Sequence, residues 1–266
     1  MAEAVERLRA AGFWRRFGAL FCLGMVGVLA LVPVALTAGR RQLESMPDLE
    51  MPLGIFVLLT LLNPILLLAI SVAAGVWLAP RLGLRSYVDE KVSFGKPVLP
   101  RLREDLRLAI LLGAIGGTAV VLIDLAIAPW LSGGLAQIEQ AQGRTLASTV
   151  AGLLYGGITE ELMIRWGIMS FLAWAVWRLV GRGRGGPGAG AMWGAIVGAA
   201  IAFGMGHLPA LAAVVPLTTP LIVRTVALNA LGGVIFGWLY WRRSLEAAMV
   251  AHATFHVVFS IFALFA

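Results

Sequence analysis

The chain has 266 residues, of which 60% are hydrophobic and only 13% charged, with a formal net charge of +7. A soluble domain of this length could not hide so much apolar surface, so the expected solvent is a lipid bilayer. The basic residues cluster beside apolar runs, which points to membrane orientation and not to nucleic acid as the partner of the positive charge.

Residues 1–16 read as a charged amphipathic N-terminal segment, and 17–266 as a single transmembrane domain. The apolar run after Arg16 is too long for the core of a cleaved signal peptide. It contains Cys22, the one cysteine, so neither a disulfide framework nor a cysteine-based zinc site is available. A span needs about 20 apolar residues. The first is expected at 17–37, the second at 52–79 and the third at 108–131, with a basic loop from Arg81 to Arg107 before the third. The apolar stretch 146–180 is long for one crossing and is expected to tilt, protrude or break near Gly167. Further spans are expected at 190–208, 222–241 and 245–265, with Pro209, Pro216 and Pro220 opposing a regular helix over 209–220. The predicted fold is an all-α, multi-pass transmembrane bundle of seven spans, eight if 146–180 breaks. The basic segments alternate with acidic or nearly neutral ones, which places the N-terminus in the cytoplasm. Small pairs at four-residue spacing (Gly113/Gly117, Gly152/Gly156, Gly194/Gly198, Gly233/Gly237) would let helices approach closely.

Ionisable side chains in such segments cost roughly 2.5 kcal/mol or more each, so they need a joint explanation. All three histidines lie in apolar runs near the C-terminal end: His207, and the pair His252 and His256. A further apolar run holds Glu160, Glu161 and Arg165. Glu161 and Arg165 are four residues apart with the acid first, a favourable order for a positioning ion pair on one helix face. Glu160 is rotated by about 100° from Glu161 and can point elsewhere, which suits a general base acting on water. His252 and His256 share a helix face at a spacing that suits two ligands of one metal. Two chemistries remain open. Glu160, His207, His252 and His256 could hold Zn²⁺ and acidify its water. Alternatively, Glu160 activates water with a histidine while another histidine donates to the developing oxyanion. No His-Glu-x-x-His zinc motif is present. Elsewhere, Asp124 is expected to pair with an arginine or face a wet cavity. Asn63 and Asn229 are expected to bond between helices, Arg224 to snorkel outward, and the tryptophans to anchor at interfaces.

Three motifs follow one another in order: Glu160-Glu161-x-x-x-Arg165, Phe203-x-x-x-His207 and His252-x-x-x-His256. This pattern resembles the CPBP (Abi) family of intramembrane endopeptidases, which includes the CAAX prenyl protease. The resemblance covers about 160–256 and implies a catalytic core at about 146–260. It implies that Glu160, His207 and His252 activate water and that residue 256 steadies the oxyanion. The family usually has Asn or Asp at that last position, so His256 is a departure. The resemblance further implies a peptide or protein substrate with a membrane-associated segment: a lipid-modified terminus, a small precursor peptide or a membrane sorting tail. The basic-inside topology and Arg/Ala/Gly-rich composition fit a bacterial inner membrane. Two rivals are a proton-coupled transporter or channel, since intramembrane Glu and His also serve proton relays, and a non-catalytic immunity or scaffold protein. An internal repeat, common in transporters, is not evident.

Overall fold

The structure is a computed structural model that describes residues 12–46, 48, 50–131, 145–180 and 185–265. The described part is helical without strands, and seven of its helices are long and apolar enough to cross a membrane. Most of the expected 1–16 segment lies outside the described residues.

Helix α1 (Phe13–Ala30) stops short of the expected end at 37. Pro33 lacks an N–H and crowds the preceding turn, so the chain bends at Leu31 and continues as α2 (Val32–Glu44), whose polar end carries Arg40 and Arg41. Helix α3 (Leu53–Leu78) returns across the bilayer and runs on as a short 3₁₀ turn, Ala79–Leu82. Leu58, Leu62, Leu66 and Ile70 form an exposed stripe at four-residue spacing, as lipid contact requires, while Leu68 and Val72 are buried.

The segment expected as a basic loop is largely helical. Helix α4 (Tyr87–Phe94) is capped by Ser86 Oγ, which accepts from the Asp89 N–H at 3.2 Å. Helix α5 (Leu99–Ile127) begins well before the expected residue 108, with Pro100 in its first turn and Arg101, Arg103 and Arg107 leading it towards the membrane. A buried polar clasp joins this end of the bundle. Arg16 of α1 makes a bidentate pair with Asp89 at 2.6 and 2.8 Å. Burial pushes the Asp89 carboxyl up, and the Arg16 hydrogen bond opposes that push. The Glu246 carboxylate accepts from Ser86 Oγ at 2.6 Å and from the N–H groups of Tyr87 and Val88 at 2.8 and 3.0 Å. Tyr87 donates to Asp105 at 2.6 Å, and burial pushes its phenol up to about 12, so it remains a donor at ordinary pH.

Helix α6 (Leu146–Leu179) is one continuous element. Thr145 and Ser148 form a capping box at its start. The helix widens to i→i+5 bonding over Gly152–Glu160 and again over Leu162–Met169. It does not break near Gly167, so the eighth crossing is not formed. A Cβ at Gly167 would lie 2.5 Å from Ser71 Cβ, so this glycine permits close approach to α3 instead of interrupting α6. Helix α7 (Ala189–Gly206), the short α8 (Leu208–Ala212), α9 (Thr219–Arg242) and α10 (Leu245–Phe262) complete the bundle. Pro209 and Pro220 fall in the first turns of α8 and α9, where their missing N–H is harmless, so only 213–218 stays non-helical.

Three of the four small-residue pairs sit at tight crossings. A Cβ at Gly113 would lie 2.6 Å from the Ala251 carbonyl on α10, and one at Gly233 would lie 2.8 Å from Ala200 on α7. Gly152 and Gly156 face His256. The fourth pair is split, because Gly198 meets Leu172 while Gly194 faces open space. Trp14, Trp77, Trp130 and Trp193 are exposed, but Trp166 is fully buried, its ring filling the space left by Gly75 of α3. That tryptophan is core, not an interface anchor.

Candidate active site

The wide turns of α6 bring two adjacent glutamates to the centre of the bundle. Glu161 is fully buried, while the Glu160 side chain keeps 18% exposure towards a cavity. Glu161 does two things. Its Oε2 lies 3.2 Å from Arg165 Nε, within ion-pair range but off the line of a good hydrogen bond. Its Oε1 receives a hydrogen bond at 2.9 Å from His252 Nδ1 on α10. With its proton on Nδ1, His252 turns its Nε2 lone pair towards Glu160, whose Oε2 is 3.8 Å away. The Arg165 guanidinium is fully buried and lies over the rings of Phe203 and Phe236 at 5.4 and 5.6 Å, which offsets part of its desolvation.

His207 caps the C-terminal end of α7, and its Nδ1 bonds to the Phe203 carbonyl at 2.9 Å. Four-residue spacing thus explains Phe203-x-x-x-His207 locally: the backbone holds one ring nitrogen and leaves Nε2 for the cavity, while the Phe203 ring packs edge-on at 4.8 Å. His256 lies one turn beyond His252, with the two rings stacked at 5.2 Å. Its ring fills the notch left by Gly152 and Gly156, where a Cβ on Gly152 would come within 2.6 Å of Nδ1. Phe236, which sequence reasoning passed over, stacks on the other face of His252 at 4.5 Å. No signal in the sequence marks it, because an aromatic in an apolar span is ordinary.

Glu160, His207, His252 and His256 line one cavity of about 700 Å³, with Asp124, Arg224 and Asn229 further along its wall. Arg224 does not snorkel to lipid. It makes a bidentate pair with Asp124 across the cavity at 2.6 and 2.5 Å. Asn229 does not bond between helices either. Its amide donates to the Thr225 carbonyl of its own helix at 2.8 Å. Asn63 is exposed on α3. Among the described residues no three His, Cys, Asp or Glu side chains converge as a metal ion requires. His252 Nδ1 and His207 Nδ1 are already engaged, by Glu161 and by the backbone. Each ring keeps Nε2 as its remaining nitrogen, an arrangement also common for metal-ligating histidines, whose other N–H is held by a carboxylate or carbonyl.

Two substitutions probe this packing. Gly156→Ala would drive a methyl group into the His256 ring, and overpacking of this kind costs about 1–3 kcal/mol. A matching fall in melting temperature is expected, whereas Gly194→Ala, which meets open space, should be neutral in the same thermal assay. For Asp124 and Arg224 a double-mutant cycle with Asp124→Asn and Arg224→Gln should give a coupling of roughly 1 kcal/mol, since the pair is bidentate but partly exposed.

Among the described residues the chain is an all-helical bundle with a buried acid–histidine cluster lining a cavity. Comparison with known families is specific: residues 142–258 match the family described as Type II CAAX prenyl endopeptidase Rce1-like. The resemblance carried by the three motifs is thereby shown: this part of the chain is similar to the CAAX-type intramembrane proteases, a family of peptide-bond hydrolases. No curated protein and no solved structure gives a match.

Proposed function

We propose that this protein hydrolyses a peptide bond of a membrane-associated substrate with a water activated by Glu160, without a covalent intermediate. The observation that carries the reading is the convergence of Glu160, His207 and His252, from three different spans, on one cavity. A volume of about 700 Å³ accommodates a short unwound peptide segment.

The roles follow from the contacts. Glu160 is the general base, because it is the acid that faces the cavity and is not paired with Arg165. Its carboxylate takes a proton from water as the water oxygen attacks the scissile carbonyl. His252, held in one tautomer by Glu161, orients that water through Nε2. A ring N–H of His256, in the place of the family's usual Asn or Asp, is the donor assigned to the oxyanion, while His207, whose Nδ1–H is held by the Phe203 carbonyl, presents its Nε2 lone pair as a hydrogen-bond acceptor for the water. Collapse of the tetrahedral intermediate breaks the C–N bond, and Glu160 returns its proton to the leaving nitrogen. Arg165 acts through Glu161 and is a positioning residue.

The test is hydrolysis of a peptide library by the purified protein in detergent micelles or proteoliposomes, with products identified by mass spectrometry. New termini that appear with wild type support the reading. The same termini at the same rate after His252→Ala would overturn it.

A further inference from the structure

We infer that the catalytic cavity opens on the non-cytoplasmic side of the membrane, so that its substrate is the external end of an exported or membrane-anchored chain. The substrate part rests on the proteolytic reading above, whereas the sidedness does not.

The cavity wall is weighted towards the same end of the bundle on each long helix that contributes to it, reaching well past the middle only on α9. On α5 no lining residue precedes Val120, and on α7 none precedes Phe203. On the returning helices the order reverses: on α6 none follows Glu160, and on α9 none follows Phe236. On α10 none precedes His252, and near α1 only Leu31, just beyond its last turn, takes part. Successive helices run in opposite directions, so all of these stretches lie at the same end of the bundle.

The opposite end is the basic one. It carries Arg15 and Arg16 at the start of α1, Arg81 and Arg85 after α3, and Lys91 and Lys96 around α4. The first turns of α5 add Arg101, Arg103 and Arg107, and the junction of α9 and α10 adds Arg242 and Arg243. At the cavity end, Arg40 and Arg41 stand beside Glu44, Asp48 and Glu50, and Arg224 is neutralised by Asp124. An excess of lysine and arginine in the connections marks the cytoplasmic side. The cavity is therefore placed towards the other face, and its rim residues Ala210 and Val214 are exposed there.

This geometry selects among substrates. A lipid-modified C-terminus held on the cytoplasmic leaflet would meet the basic clasp and not the glutamate. A tail on the external side reaches Glu160 and the histidines from the open end. The substrate class is thus a secreted or externally anchored polypeptide cut near the outer leaflet.

The experiment places single cysteines in a Cys22→Ala background of the full chain, expressed in bacterial cells. A membrane-impermeant maleimide is added to intact cells and, separately, to permeabilised ones. Thr218→Cys and Ala210→Cys should be labelled in intact cells, and Lys96→Cys only after permeabilisation. The reverse pattern, or an Ala210→Cys reached only after permeabilisation, would overturn the sidedness. In parallel, chain termini of cells expressing wild type are compared with those of cells expressing Glu160→Gln. Glu160-dependent termini should map to external segments, and their mapping to cytoplasmic segments would overturn the substrate class. No Glu160-dependent termini, combined with outward labelling, would remove the proteolytic reading and leave the sidedness standing.

Discussion

Glu160→Gln should abolish measurable hydrolysis while leaving the protein folded. The amide keeps the shape and most of the packing of the carboxylate but cannot take a proton from water. Loss of a positioned general base typically removes about 10²–10⁴-fold in rate. The carboxylate is not paired with Arg165 and keeps partial exposure to the cavity, so its neutralisation leaves no buried charge behind. The melting temperature of the variant should stay within a few degrees of wild type. Turnover within a factor of about three of wild type would remove Glu160 from the base role.

Glu161→Gln should act on stability first. The Arg165 guanidinium is fully buried, and Glu161 is the carboxylate within ion-pair range of it. Neutralising that acid strands a buried cation with only the faces of Phe203 and Phe236 for compensation. Breaking a buried pair costs about 3–5 kcal/mol, which corresponds to a melting temperature lower by roughly 10 °C. Activity should fall too, because the carboxylate also holds His252 by its Nδ1. A double variant separates the two effects. Glu161→Gln with Arg165→Met removes both charges, a change that is often neutral for folding. It should recover most of the melting temperature but not the rate. Recovery of both would reduce Glu161 to a structural partner and free His252 from its dependence on it.

The membrane, the spans and the polar residues that need explaining were all legible in the chain, because each is a local property. Hydrocarbon thickness sets the length of an apolar run, and the cost of an ionisable group inside it makes Glu160, Glu161, Arg165 and the histidines conspicuous. Several details were not legible, because they depend on where a proline or glycine falls against a neighbour. Pro33 bends the first span at Leu31, and Arg101 to Arg107 begin a helix instead of ending a loop. Gly167 lies inside the continuous stretch 146–179, where its missing side chain lets it pack closely on Ser71.

Pairings across the bundle were the least legible part. Four-residue spacing announced Glu161 and Arg165, but nothing in the chain says that Glu161 also binds His252, ninety-one residues away. Asp124 and Arg224, a hundred residues apart, likewise find each other only when α5 and α9 line the same cavity. The same holds for the depth of the cavity. The sequence by itself determined the solvent, the number of long apolar helices and the residue types available for chemistry, since these follow from hydropathy along the chain. Only the tertiary structure decided which acid faces water, which holds a histidine and towards which end of the bundle the cavity opens. Those outcomes depend on helix rotation and contact, which the packing of small residues sets and which no local periodicity encodes.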